Sequence, residues 1–100
     1  MAQFIPRSKR MTEARNKGRH SNKEWNDMLE EFNYICVRCL NTSREIHKDH
    51  IIPIFMGGSD GIENIQPLCH VCNLSKRGEV VNWAKIRRAE MREEIENAVH

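Results

Sequence analysis

No segment of this chain approaches the roughly 20 consecutive apolar residues that a membrane-spanning helix needs. The N-terminal residues carry charge but no apolar core segment, which argues against a secretory signal. Low-complexity stretches are missing, and the one internal duplication is a Cys-x-x-Cys spacing. Neither cysteine pair sits in the βαβ setting of a thioredoxin-like redox dithiol. No helix stands out as a reader of base edges, so sequence specificity is not visible. The expectation is a cytoplasmic protein in a reducing compartment, with no membrane partner, whose cysteines bind metal more readily than each other.

What remains is a chain of 100 residues, 39% hydrophobic and 30% charged, which suits a single globular domain. A chain this short has a thin core, so a metal staple would matter. The net charge of +2 is unevenly spread. Residues 1–20 carry Arg7, Lys9, Arg10, Arg15, Lys17 and Arg19 against the lone Glu13, a net of +5 that leaves −3 for the rest. A basic segment on a mildly acidic body suits a polyanionic partner, with Arg7, Lys9 and Arg10 as candidate nucleic-acid contacts. A solvated tail is the plainer alternative. The domain reading is a basic, flexible arm over 1–20, with a weak helical turn around Met11–Asn16, and a folded unit over 21–100.

Ser21-Asn22-Lys23-Glu24 is a capping box, and Trp25, Met28, Leu29 and Phe32 follow at helical spacing. A helix to about Asn33 is expected. Arg44–Ile52 reads as a strand limited by Pro53, and Gly57, Gly58 and Gly61 lie in the loop after it. Asn64–Leu68 reads as a second strand, with a helix beginning at Asn73. The stretch 79–99 is helical, with Val80, Trp83, Ala84, Arg87 and Met91 along one stripe.

Cys36/Cys39 and Cys69/Cys72 form two Cys-x-x-Cys pairs. Two intervening residues let both sulfurs of a pair meet one ion, so the four can close a tetrahedral shell around structural Zn²⁺. Iron suits the same shell, and a redox dithiol or two disulfides are the competing readings. A closed shell leaves no open position for water or substrate, so chemistry must come from elsewhere.

Between the pairs stand Asp49-His50, then Asn64; Asn73 follows the second pair. Hydrolysis of a phosphodiester needs a base for water and a cation at the phosphate. Histidine can take the proton near neutral pH, and carboxylate and amide oxygens suit a hard divalent ion with open positions. Singly, each residue has a plainer role: Asn73 as a helix N-cap, Asn64 as a turn residue, Asp49 and His50 as surface groups.

Together, Asp49-His50-Ile51-Ile52-Pro53, Gly57-Gly58, Glu63-Asn64-Ile65-Gln66-Pro67-Leu68-Cys69 and Cys72-Asn73 with Lys76 resemble the HNH endonuclease family. The resemblance spans about residues 36–77, in the H-N-N variant. It implies an α+β fold: a ββα-metal unit stapled by a four-cysteine zinc site, flanked by an N-terminal helix and a long C-terminal helix over 79–99. It implies His50 as general base, Asn64 as the residue that braces the loop and orients that base, and Asp49 and Asn73 as ligands of a catalytic ion. With an amide in place of the usual histidine at 73, Mg²⁺ or Mn²⁺ becomes the expected ion. Lys76 and Arg77 are candidate phosphate contacts, with solvated helix charge as the alternative. His47 and His70 are left without a firm role.

The function expected is a metal-dependent endonuclease hydrolysing DNA. The alternative is a zinc-stapled nucleic-acid-binding module without turnover, as a subunit of a larger DNA-processing complex. A protein-interaction module docking through the last helix is a third. Apolar residues on that helix are compatible with a homodimer, a targeting partner, or packing against the first helix beside Trp25.

Overall fold

The computed structural model describes the backbone of residues 7–99 and the side chains of residues 9–98. The side chain of Arg7, one of the expected nucleic-acid contacts, lies outside the described residues. The elements are α1 (Arg7–Lys17), α2 (Asn22–Glu31), β1 (Ile46–His50), β2 (Ile65–Cys69), α3 (His70–Ser75) and α4 (Trp83–Val99), with 3-10 turns at Ile54–Met56 and Ile62–Asn64. This is the expected α+β architecture. One antiparallel pair, β1 with β2, forms the sheet, in a register that sets Ile46 opposite Cys69, Asp49 opposite Gln66 and His50 opposite Ile65.

The capping box at α2 forms as expected: Ser21 Oγ accepts from Glu24 N–H, and Glu24 Oε1 accepts from Ser21 N–H, both at 3.0 Å. Met28 and Phe32 carry the inward stripe of α2 into a core with Val37, Ile65, Leu68 and Ala84, and Trp25, Trp83 and Met91 pack against it. All five residues of β2 are buried.

The boundaries of β1, α3 and α4 differ most from the sequence expectation. Strand β1 is shorter at both ends. Asn41 Oδ1 takes the N–H groups of Ser43 and Arg44 before it, and Asn64 takes those of Ile51 and Ile52 after it, so these amides never join the ladder. Helix α3 starts at His70, three residues earlier, because Cys69 Sγ accepts from Cys72 N–H in the position of an N-cap. Helix α4 starts at Trp83. Gly78 has φ of +82°, and Asn82 Oδ1 caps the new helix by accepting from Lys85 N–H at 2.9 Å.

The basic N-terminal segment holds a helix longer than the single turn expected. Helix α1 lacks hydrophobic periodicity but is tied down at its end. Ala14 is buried, its carbonyl accepts from Asp60 N–H, Lys17 Nζ donates to Gly57 O at 2.7 Å, and Arg19 bridges to Asp60.

Gly58 shows how tightly the loop after β1 is folded. A Cβ there would fall on the Ile52 carbonyl oxygen, 2.7 Å from the carbonyl carbon and 2.8 Å from Asn64 Nδ2. The obstruction is backbone, which cannot step aside. Gly58→Ala is therefore expected to lower the unfolding free energy by about 2 kcal/mol or more. A urea midpoint equal to that of the parent would refute this close packing.

Candidate active site and metal centre

The two knuckles are built alike. Cys36 Sγ accepts from Cys39 N–H at 3.5 Å, and Cys69 Sγ from Cys72 N–H at 3.4 Å. The second knuckle is the end of β2 and the first turn of α3; the first is carried by the turn whose Val37 N–H donates to Pro67 O. All four cysteines are free thiols, and their sulfurs lie within 4.8 Å of one another. Cys39 Sγ and Cys69 Sγ are 3.8 Å apart, the edge expected of a sulfur tetrahedron whose Zn–S bonds are about 2.3 Å. The cluster fits a structural zinc ion. Burial pushes the Cys69 thiol up, but the Cys72 amide, the neighbouring sulfurs and the Arg44 guanidinium together bring it down to about 6. Burial pushes Cys72 up, to about 12. Arg44 Nη1 approaches Cys69 Sγ to 3.9 Å, where its charge offsets part of that of a thiolate shell.

Asp49, His50 and Asn73 line one cleft of about 400 Å³, walled by Phe55 and Leu74 and edged by Lys48 and Arg77. Adjacent strand residues point to opposite faces. Both Asp49 and His50 nevertheless reach the cleft, because His50 is the last residue of β1 and the chain bends at Ile51-Ile52. Asn64 holds that bend. Its Nδ2 donates to Ile52 O at 3.0 Å and Ser59 O at 2.8 Å, and its Oδ1 accepts from Ile52 N–H at 2.9 Å. Asn73 lies one turn inside α3, so it is not the cap of that helix. Its side chain makes no hydrogen bond among the described residues.

Two partners in the site gave no signal in the sequence reading. Asp60, on the glycine-rich loop, accepts from His50 Nε2 at 2.8 Å. It is itself buried, with Arg15 Nε at 3.8 Å, and the imidazole of His20 donates to its backbone carbonyl at 2.7 Å. A carboxylate only accepts, so the His50 proton sits on Nε2 and the lone pair on Nδ1. Gln66 lies opposite Asp49 and donates to its Oδ2 at 2.9 Å and to Val81 O at 3.0 Å, while its Oε1 accepts from Ala84 N–H. Neither side chain is among the sequence candidates, because each meets its partner across a long interval of chain.

Lys76, expected at phosphate, faces inward. Its ammonium donates to Asp49 Oδ2 at 2.9 Å and to His50 O at 3.0 Å, and lies 2.7 Å from Asp49 Oδ1. Both side chains are nearly closed to solvent, at 6% and 4% exposure. Removing one member of such a pair typically costs about 3–5 kcal/mol, because the other charge is left buried and alone. Arg77, the next residue, is exposed at the cleft edge. Lys9 is exposed on α1, and Arg10 lines a second cavity together with His50 and Phe55, its Nε buried without a hydrogen-bond partner. His47 stays out of the cleft, its ring 6.3 Å from that of His70.

The donor chemistry fits a hard divalent ion, with carboxylate and amide oxygens on one cleft, although the charge of Asp49 is already balanced by Lys76.

Residues 36–79 match the family model described as HNH endonuclease. The match covers both knuckles, β1, the loop, β2 and α3, and leaves α1, α2 and α4 outside it. The matched family is one of nucleases that act on DNA. No curated protein matches this chain. None of the described helices is long and apolar enough to cross a membrane.

Metal analysis of the purified protein is expected to find a single zinc ion per chain, and Cys69→Ser to lose it. Since a structural zinc contributes on the order of 10 kcal/mol to folding, that variant should also lose its cooperative thermal transition. Retention of both zinc and a sharp transition would show that the four sulfurs do not hold the ion.

Proposed function

On the premise that this chain belongs, through residues 36–79, to the HNH endonuclease family, we propose that it is a metal-dependent endonuclease hydrolysing DNA phosphodiester bonds. The observation that carries this reading is the single cleft shared by Asp49, His50 and Asn73, with the His50 ring held by a buried carboxylate. His50 is the general base. Its Nδ1 lone pair takes the proton from water, and Asp60 fixes the tautomer and steadies the imidazolium that results. Asn64 keeps the bend that brings His50 to the cleft. Asp49 and Asn73 would hold Mg²⁺ or Mn²⁺, which when bound supplies polarisation of the phosphate and charge for the leaving oxygen.

In this reading Arg77 at the edge, Arg10 beside the second cavity and Lys9 contact flanking phosphates, and Arg7 joins them on the strength of the sequence alone. Lys76 reaches phosphate only if it leaves Asp49. Contacts of this kind carry little base information, so aiming the cut falls to a targeting partner or a second copy of the chain. A reducing, cytoplasmic setting suits the four free thiols. The Lys76–Asp49 pair favours a second reading, a zinc-stapled DNA-binding module without turnover, since it occupies the only carboxylate proposed as a metal ligand.

Nicking of supercoiled plasmid with Mg²⁺ or Mn²⁺ separates the two. His50→Ala is expected to cut at least about 100-fold more slowly while keeping its zinc and its fold. Undiminished cutting would remove His50 as the base, and no cutting by the parent with any divalent ion would leave the binding module.

Asp60→Asn should slow cutting by at least about tenfold, because an amide can donate to Nε2 and favour the wrong tautomer. The ring ¹⁵N resonances of His50 report this directly. A parent spectrum with the proton on Nδ1 would refute the role of Asp60.

A further inference from the structure

The cleft contains a cation of its own. The Lys76 ammonium donates to Asp49 Oδ2 and to His50 O, with Asp49 Oδ1 2.7 Å away in the same ion pair, and the carboxylate takes a further bond from Gln66. The Asp49–Lys76 pair is therefore neutral, hydrogen-bonded and shut away from water. A divalent ion arriving at Asp49 meets an ammonium on the same carboxylate, with no second acidic side chain lining this cleft to offset it. His50 and Asn73 bring lone pairs but no negative charge.

The charge missing from the free site is the one a phosphodiester carries. A phosphate in the cleft offers an anionic oxygen to the metal and another to the ammonium, so that one carboxylate and one phosphate serve both cations. Lys76 stands at the mouth of a turn beside that cleft. It ends α3 as the residue after the last helical position, and Gly78, two residues on, takes the positive φ of +82° that releases the chain. Arg77 beside it faces the cleft edge.

We infer that Lys76 keeps the free site closed to divalent cations, so that the catalytic ion and the scissile phosphate are bound together and each raises the affinity of the other. This rests on the reading of Asp49 as a metal ligand. It makes the nuclease idle toward metal until DNA is present, through a residue whose evident role is to pair a buried charge. By linkage, the factor by which a duplex tightens Mn²⁺ must equal the factor by which Mn²⁺ tightens the duplex.

The test uses the full, zinc-loaded chain carrying His50→Ala to prevent turnover. Mn²⁺ binding is followed by loss of the free-ion EPR signal, with and without a short DNA duplex whose own Mn²⁺ uptake is measured separately. The parent is expected to bind Mn²⁺ about tenfold or more tightly with the duplex, within the usual range of coupling between sites. Lys76→Gln, which keeps a donor toward Asp49 but no charge, should bind Mn²⁺ without DNA about tenfold more tightly than the parent and lose most of the duplex effect. Equal Mn²⁺ affinity in Lys76→Gln and the parent, without DNA, would overturn the inference. If Lys76→Gln does not fold, the parent decides alone: no gain with the duplex overturns it. Asp49→Asn separates the two levels. If that variant binds Mn²⁺ as the parent does, the ligand reading itself falls. If it binds none while Lys76 has no effect, only the coupling falls.

Discussion

Asp49 puts a carboxylate where only 4% of the side chain meets solvent, and four elements of the fold converge on it. It comes from β1, Gln66 from β2, Lys76 from the end of α3, and Gln66 passes the connection on to Val81 and to the first turn of α4. An unpaired charge at that depth would be several kcal/mol too costly to keep. The carboxylate thus demands its partners, and meeting that demand fixes how the helix after the second knuckle lies across the sheet. Asp49 and Lys76 are consequently structural residues whatever their chemistry. The carboxylate proposed as a metal ligand stands where the fold also needs it, which limits how the site can be altered without loosening the domain.

The sulfur cluster performs a different task with the same economy of chain. The core is one small cluster around Phe32, Val37, Ile65 and Leu68, and it belongs to elements far apart in sequence. Cross-linking the turn at 36–39 to the β2–α3 junction closes the long loop that contains β1 and the glycine-rich segment. Closing such a loop removes much of the entropy the unfolded chain would hold. Arg87 Nε and Nη2 donate to the carbonyls of Val37 and Arg38, and Arg88 makes a two-pronged pair with Glu31, so α4 is clamped to the first knuckle and to α2 together. These side chains explain why a helix with a weak apolar stripe still packs.

Features that depend on short spacing were legible in the sequence. The capping box at Ser21, the stripe of α2, the two knuckles and the order of Asp49, His50, Asn64 and Asn73 all rest on neighbours within a few residues or on a repeated motif. What escaped was pairing at long range. Asp60 lies ten residues from His50, and nothing in that interval says that the Gly-rich loop folds back far enough to bring a carboxylate to the ring. The inward turn of Lys76 is hidden for the same reason. On a helix, a lysine four residues after a buried cysteine reads as solvent-facing unless one knows that a carboxylate 27 residues earlier in the chain lies beneath it. The start of α4 was misjudged by four residues because Asn82, a good cap, lies inside a stretch whose apolar spacing already resembled a helix.

Asp60 also connects His50 to the part of the chain that lies outside the family match. Its N–H donates to Ala14 O, its carbonyl accepts from His20, and Arg15 stands 3.8 Å from its carboxylate. The basic N-terminal segment is therefore attached at the residue whose carboxylate holds the His50 ring. An ordered α1 puts Arg10 in a cavity that His50 also lines. A polyanion drawn to this helix would bind next to His50, and the position of Asp60 would depend on that helix staying in place. Electrostatic attraction and the hold on the His50 ring then meet at one side chain through the same loop, and a segment with no hydrophobic periodicity is joined to the cleft by its hydrogen bonds alone.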